Sequence, residues 1–245
     1  MFIFQKSFIY FPDKSLKAFS KYRLQGFKEI NITTSDGKRI VSWYKPPIRK
    51  SPTIVFFHGN SGNLSYRIQK FIALTDKTGY GLLAVDYRGY GRSDGSPSEK
   101  GIYLDAESAI DYLLKNGAKE KDIVLYGESL GTGVAIQTAL KYKALKAVIL
   151  EAPFTSLPAL GQKEYRFLPV KLLALERYNS LKKIFDIHVP ILFLHGDNDK
   201  TVPPKHSEEL YERANKPKKR IILKGTGHND SDIEVIAKEI ATFLN

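Results

Sequence analysis

Cysteine is missing altogether from the 245 residues, and methionine and tryptophan occur once each. Without a thiol there is no disulfide, no zinc-thiolate or iron-sulfur site and no cysteine nucleophile. Covalent chemistry is left to serine, threonine, lysine or a carboxylate, and a reducing compartment is compatible with the composition. Long apolar runs are missing too. The opening Met1-Phe2-Ile3-Phe4 is interrupted by Gln5-Lys6-Ser7 before Phe8-Ile9-Tyr10-Phe11, too short to span a bilayer or to serve as a signal-peptide core, and no later stretch comes closer. The chain contains neither H-E-x-x-H nor a P-loop nor a dinucleotide fingerprint. Neither a metal nor an organic cofactor is expected.

Acidic residues are in deficit. Thirty-eight Lys and Arg face 26 Asp and Glu, a formal charge of +12, and residues 1–50 alone hold eleven basic against three acidic side chains, a net +8. Such a balance raises anionic membranes and nucleic acid as partners. The basic residues do not interleave with aromatics along one groove, so nucleic acid is not expected. For residues 1–50 two readings stand. Phe2, Ile3, Phe4, Phe8, Ile9 and Phe11 form a reversible interfacial anchor on an anionic membrane, or they pack on the core while the lysines solvate the surface. The expected location is cytoplasmic, with peripheral contact at a membrane surface.

What is present is a globular composition, 42% hydrophobic and 26% charged. The length suits a single domain over 1–245. Short apolar runs bounded by Gly, Asp or His (Ile54–Phe57, Leu82–Val85, Ile123–Tyr126, Ala147–Leu150, Ile191–Leu194 and Ile221–Leu223) predict buried parallel strands. Ile30–Thr33 and Ile40–Trp43, joined across Asp36-Gly37, predict an antiparallel hairpin. Helical spacing over 102–116 ends at Gly117, and a last helix carries Ser231 and Glu234 at capping-box spacing. The class is α/β with a mostly parallel sheet and helices on both faces. From 154 to 185 no strand run occurs. This interval predicts a short helical cap inserted over the sheet edge, the plainer alternative being a crossover helix with a long loop.

Gly127-Glu128-Ser129-Leu130-Gly131 follows the strand at 123–126 and opens a helix over Thr132–Tyr142. A serine on a sharp strand-to-helix turn projects its hydroxyl above the sheet, and the glycines allow the close approach this turn needs. The hydroxyl is a poor nucleophile until a base takes its proton, so a histidine and an orienting carboxylate are required. Of five histidines, His228 lies in the Gly225–Asp230 loop between the last strand and helix; His58, His188, His195 and His206 are read as structural or solvated. Asp199, in His195-Gly196-Asp197-Asn198-Asp199, is the candidate acid, and Asp197 its competitor, otherwise a turn residue. The order Ser129, Asp199, His228 suits one class of α/β enzyme. Oxyanion donors are expected from the backbone amides of Leu130 and of Asn60, in the loop His58-Gly59-Asn60-Ser61-Gly62-Asn63.

Together His58-Gly59-Asn60, Asp86 to Ser93, Gly127 to Gly131, His195 to Asp199 and Gly227-His228 resemble the α/β-hydrolase superfamily. The HGN-x-GN loop, the YRGYG-x-S stretch and the opening Phe-Gln-Lys-Ser-Phe-Ile-Tyr-Phe-Pro resemble its Bem46-like branch, which includes membrane-associated depalmitoylating members. The resemblance implies an α/β-hydrolase fold and makes Asp86 to Ser93 a structural turn. The expected activity is that of a serine esterase or thioesterase on a small-molecule or acylated substrate. A peptidase or amidase on the same fold is the alternative, and a non-enzymatic membrane- or nucleic-acid-binding module the second.

Overall fold

The computed structural model describes every residue except Met1, Arg23, Tyr165, Arg166 and Leu168, and it leaves out the side chains of Phe2, Ile3, Phe4, Lys163, Glu164, Lys171 and Leu172. The anchor residues Phe2, Ile3 and Phe4 therefore lie, as side chains, outside the described residues.

Eight strands form the main sheet: β1 (Lys28–Thr33), β2 (Arg39–Lys45), β3 (Thr53–Phe57), β4 (Gly81–Val85), β5 (Ile123–Glu128), β6 (Ala147–Glu151), β7 (Ile191–Gly196) and β8 (Lys218–Leu223). Their order is β8-β7-β6-β5-β3-β4-β2-β1. Strands β3 to β8 run parallel; β1 and β2 form the antiparallel hairpin, and β2 joins β4 antiparallel. Every residue of β3, β4, β6 and β7 is buried, as strands covered on both faces require. Alternate side chains still sort to two cores. Val55, Phe57, Leu125, Val148 and Phe193 pack with α2 (Glu99–Lys115), α3 (Leu130–Lys141) and α6 (Lys205–Arg213). Ile54, Phe56, Tyr126, Ile149 and Leu192 pack with α1 (Ile68–Thr75) and α7 (Ile233–Leu244).

Three of the differences from the sequence reading have a direct physical reason. β8 begins at Lys218, because an edge strand tolerates the basic residues that hide its pattern. α3 begins at Leu130, since the turn at Ser129 leads directly into the helix. The capping box at Ser231 does not form. Asp232 is the N-cap, accepting from the amides of Glu234 and Val235 at 2.9 and 3.4 Å, and Ser231 Oγ donates instead to Thr226 Oγ1. A carboxylate is the better partner for a helix N-terminus.

The interval 154–185 has two parts. α4 (Leu157–Glu164) and α5 (Val170–Leu173) lie over the carboxyl ends of the strands, while Tyr178, Ile184 and Ile187 are buried in the core on the α2–α3 face. Between them Glu176 is buried, and its carboxylate accepts from the Tyr10 hydroxyl at 2.5 Å. That contact also bears on the opening segment: Tyr10 is buried and Ile9 packs on the core, whereas Phe8 and Phe11 are exposed. Among the described residues no helix is long and apolar enough to cross a membrane.

The chain crosses from β3 to β4 on one side and returns to β5 on the other. Loops after β3 and β5 therefore diverge above the sheet and open a crevice at the carboxyl ends of adjacent strands, where α/β folds bind ligands.

Candidate active site

The β5-to-α3 turn forces Ser129 to φ 51°, ψ −113°, a sparsely populated conformation costing on the order of 1–3 kcal/mol that the surrounding packing must offset. The Ser129 amide donates to the Glu151 carbonyl at 2.9 Å and its own carbonyl accepts from the Thr132 amide at 2.9 Å, so the turn is pinned from both sides. Both motif glycines are required by space: a Cβ on Gly127 would stand 2.3 Å from the Gly131 oxygen, and one on Gly131 would stand 2.0 Å from the Phe57 oxygen. The helix thus crosses close against β3, and Leu130 supplies its first amide, which has no intrahelical acceptor.

Three residues from three loops meet above the sheet. His228 Nε2 lies 3.0 Å from Ser129 Oγ, and His228 Nδ1 lies 2.7 Å from Asp199 Oδ2. A carboxylate only accepts, so Nδ1 carries the proton and Nε2 is left to accept from the serine hydroxyl. The other Asp199 oxygen accepts from the amides of Thr201 and Val202 at 2.9 and 2.8 Å. His195 Nε2 approaches Oδ2 at 3.3 Å while donating to the Val202 carbonyl at 2.8 Å. Burial opposes the Asp199 charge, but the bonds from His195, His228 and Val202 outweigh it and hold the carboxyl well below the usual carboxylate range. Asp197 does other work: its Oδ1 accepts from the Gly225 amide at 2.7 Å, fastening the His228 loop to the end of β7.

Asn60 is held at three points. Its carbonyl accepts from the Phe11 amide at 2.9 Å and from the Tyr90 hydroxyl at 2.7 Å, and its side-chain Nδ2 donates to the Ile9 carbonyl at 2.9 Å. The Asp86 to Ser93 stretch acts as a buttress for this loop, since Tyr87 also donates to the His58 carbonyl at 2.9 Å. Behind it His58 and Asp86 are both fully buried, 3.5 Å apart, and burial raises the Asp86 pKa despite that contact.

Beside the serine runs an ion network that the sequence did not reveal. Glu128 accepts from Arg67 Nη2 at 2.9 Å and from Lys70 Nζ at 2.8 Å, and Lys70 also reaches Glu151 at 2.7 Å. Burial would raise the Glu128 pKa, but Lys70 and Arg67 hold it well below the carboxylate range. Lys70 is raised above its usual value by Glu128 and Glu151, which overcome its own burial. Removing one member would strand a buried charge, a cost of about 3–5 kcal/mol. These pairs join residues far apart in the chain, so only the invariant demand of burial, not local spacing, marks them.

A cavity of about 680 Å³ adjoins Ser129. Its floor is Gly59, Asn60, Ser129 and Leu130; Phe154, Leu157, Leu160, Val170 and Leu173 roof an apolar arm, and Phe8 and Ile9 close it from the chain's opening segment. Arg67 and Glu128, already paired, line its polar end. Among the described residues no group of three or more His, Asp or Glu is placed to hold a metal ion.

The fold is that of the α/β hydrolases. An esterase of Pyrococcus furiosus superposes with a TM-score of 0.76 at 24% identity, covering 96% of this chain and 94% of that one. Est1E from Butyrivibrio proteoclasticus, solved with ferulic acid bound, superposes at 0.74 and 20% identity, covering 88% and 97%. The chain belongs to the α/β-hydrolase family whose model is described as "Serine aminopeptidase, S33", which matches residues 49–185. An uncharacterized protein of Mycobacterium tuberculosis is 36% identical over 100% of this chain and 89% of its own length. Human alpha/beta hydrolase domain-containing protein 17B is 31% identical over 82% of this chain and 68% of its own length.

Proposed function

We propose that this hydrolase cleaves carboxylic esters or thioesters through an acyl-enzyme on Ser129. The observation that carries the reading is the continuous hydrogen-bonded chain Ser129 Oγ, His228, Asp199 at 3.0 and 2.7 Å. Ser129 Oγ attacks the acyl carbon as its proton passes to His228 Nε2; Asp199 orients the imidazole and stabilises the imidazolium. The oxyanion of the tetrahedral intermediate receives the backbone amides of Leu130 and Asn60. As the intermediate collapses, the proton on Nε2 goes to the departing alcohol or thiol. A water, deprotonated by the same nitrogen, then attacks the acyl-enzyme, and the proton returns to Ser129 as the carboxylic acid leaves.

The apolar arm beside Ser129 favours an acyl group over a peptide. The family description makes an aminopeptidase the second reading. Such an enzyme needs a free carboxylate for the substrate ammonium, and Glu128, the acidic side chain among the described cavity residues, is committed to Arg67 and Lys70. A panel of p-nitrophenyl esters, acyl thioesters and aminoacyl amides tests the choice. Esters or thioesters are expected to be turned over fastest, rising over the first few acyl carbons because each buried methylene contributes about 0.8 kcal/mol at best, then levelling where the arm ends. Faster turnover of aminoacyl amides would replace this reading with the peptidase.

A further inference from the structure

The apolar arm has two walls from distant parts of the sequence. One is α4 and α5, and the other is the opening 3-10 turn, Phe2–Phe8, with Ile9. Among the described residues the Gln5 side chain joins them. Gln5 Nε2 donates to the Leu173 carbonyl at 2.9 Å, and Gln5 Oε1 accepts from the Leu175 amide at 3.0 Å. The two contacts are complementary, a donor meeting a carbonyl and an acceptor meeting an amide two residues on. Only a carboxamide offers both at one planar group: a carboxylate would set an acceptor against the Leu173 oxygen, and an ammonium would set a donor against the Leu175 amide.

The segment that carries Gln5 is itself anchored at the chemistry. Ile9 accepts from the Asn60 side chain, Phe11 donates to the Asn60 carbonyl, and Tyr10 bonds Glu176 and lies 3.0 Å from the Tyr178 hydroxyl. Residues 5–11 thus form a strap between the Asn60 loop and the helices over the arm. Gln5, Leu173 and Ala174 all face the cavity, so the clasp sits on the arm and not on a remote surface.

We infer that Gln5 is a specificity-determining residue: its carboxamide fixes the spacing between the opening turn and α5, and so sets how well an extended apolar acyl chain is held. The inference rests on the esterase reading for its substrate class. A short acyl group, confined near Ser129 and Leu130, gains little from this wall, whereas a longer chain reaches Leu173 and depends on it. Sequence reading grouped Gln5 with the residues that interrupt an apolar run; its role follows from contacts 168 and 170 residues away along the chain.

The test uses the full chain with Gln5→Ala and Gln5→Glu, and has two readouts. The first is kcat/KM on p-nitrophenyl acetate, butanoate and octanoate. Gln5→Ala is expected to lower the octanoate-to-acetate ratio about tenfold, the size of effect that two lost neutral hydrogen bonds support, with the loss in KM rather than kcat, and Gln5→Glu, which sets an acceptor against the Leu173 oxygen, is expected to lower it as well. An unchanged ratio, or an equal fall on all three esters, would overturn the inference. The second is hydrogen exchange at the Leu175 amide, which is expected to quicken in Gln5→Ala more than at Ala174 or Tyr178, whereas Gln5→Glu keeps an acceptor for that amide. Unaltered exchange at Leu175 in Gln5→Ala would overturn the clasp even if wild-type protein hydrolysed none of the esters, an outcome that would separately defeat the esterase reading.

Discussion

Asp199 Oδ2 lies 2.7 Å from His228 Nδ1, and Asp199 is the acidic residue of its loop that reaches the imidazole. Asp197, two positions earlier, is turned toward the Gly225 amide at 2.7 Å. Two aspartates indistinguishable by composition therefore do different work.

Substituting them separates those roles. Asp199→Asn keeps the shape but presents the imidazole with an amide, favouring the wrong tautomer, and kcat is expected to fall about ten-thousand-fold. Asp197→Asn retains an oxygen for the Gly225 amide and is expected to cost far less. Steady-state kinetics on one ester would measure both, and a larger loss for Asp197→Asn would move the orienting carboxylate.

The hairpin and the buried parallel strands were legible because β3 to β7 are covered on both faces, so each appears as an apolar run. Ser129 and His228 were legible because a strand-to-helix turn and a strand-to-helix loop leave local signatures. The ion network was not. Lys70 and Glu151 are 81 residues apart, and nothing in the spacing of either predicts a 2.7 Å contact. Among the described residues of 154–185 no strand occurs, and the division of this interval into a cavity roof and a core-packed return depends on Glu176 and Tyr178 meeting Tyr10, again a long-range pairing. His195 was read as structural. It is buried and braces Asp199, and the four-residue separation of the pair after a strand end was the available signal.

Acid sensitivity follows from the depressed carboxyls, among them Asp199 and Glu128 at the site and Asp36, which Arg88 holds well below the usual carboxylate range. Asp199 and Glu128 both have folded pKa values below their unfolded ones, so the unfolded chain binds their protons first as pH falls. Their stabilisation is fully present above about pH 5 and is lost progressively below about pH 4, the unfolded carboxylate range. Asp86 has the opposite sign: its raised pKa means that protonation favours the folded state. Thermal melts between about pH 3 and pH 7 are expected to show Tm falling on the acid side. Glu128→Gln is expected to lower Tm at neutral pH, because Lys70 and Arg67 lose their anion, and to flatten the acid limb. An acid limb as steep as that of wild type would show that Glu128 is not among the groups responsible.

The most direct measurement of the central claim is labelling by an alkyl fluorophosphonate, with the adduct located by peptide mass spectrometry. A hydroxyl 3.0 Å from an imidazole that a carboxylate orients reacts, and serines without such a base do not. One adduct per chain is expected, on Ser129, with labelling abolished in Ser129→Ala and much reduced in His228→Ala while both variants keep the wild-type circular dichroism. Stoichiometric labelling of folded Ser129→Ala, or an adduct on any other serine, would contradict the assignment of Ser129 as the nucleophile.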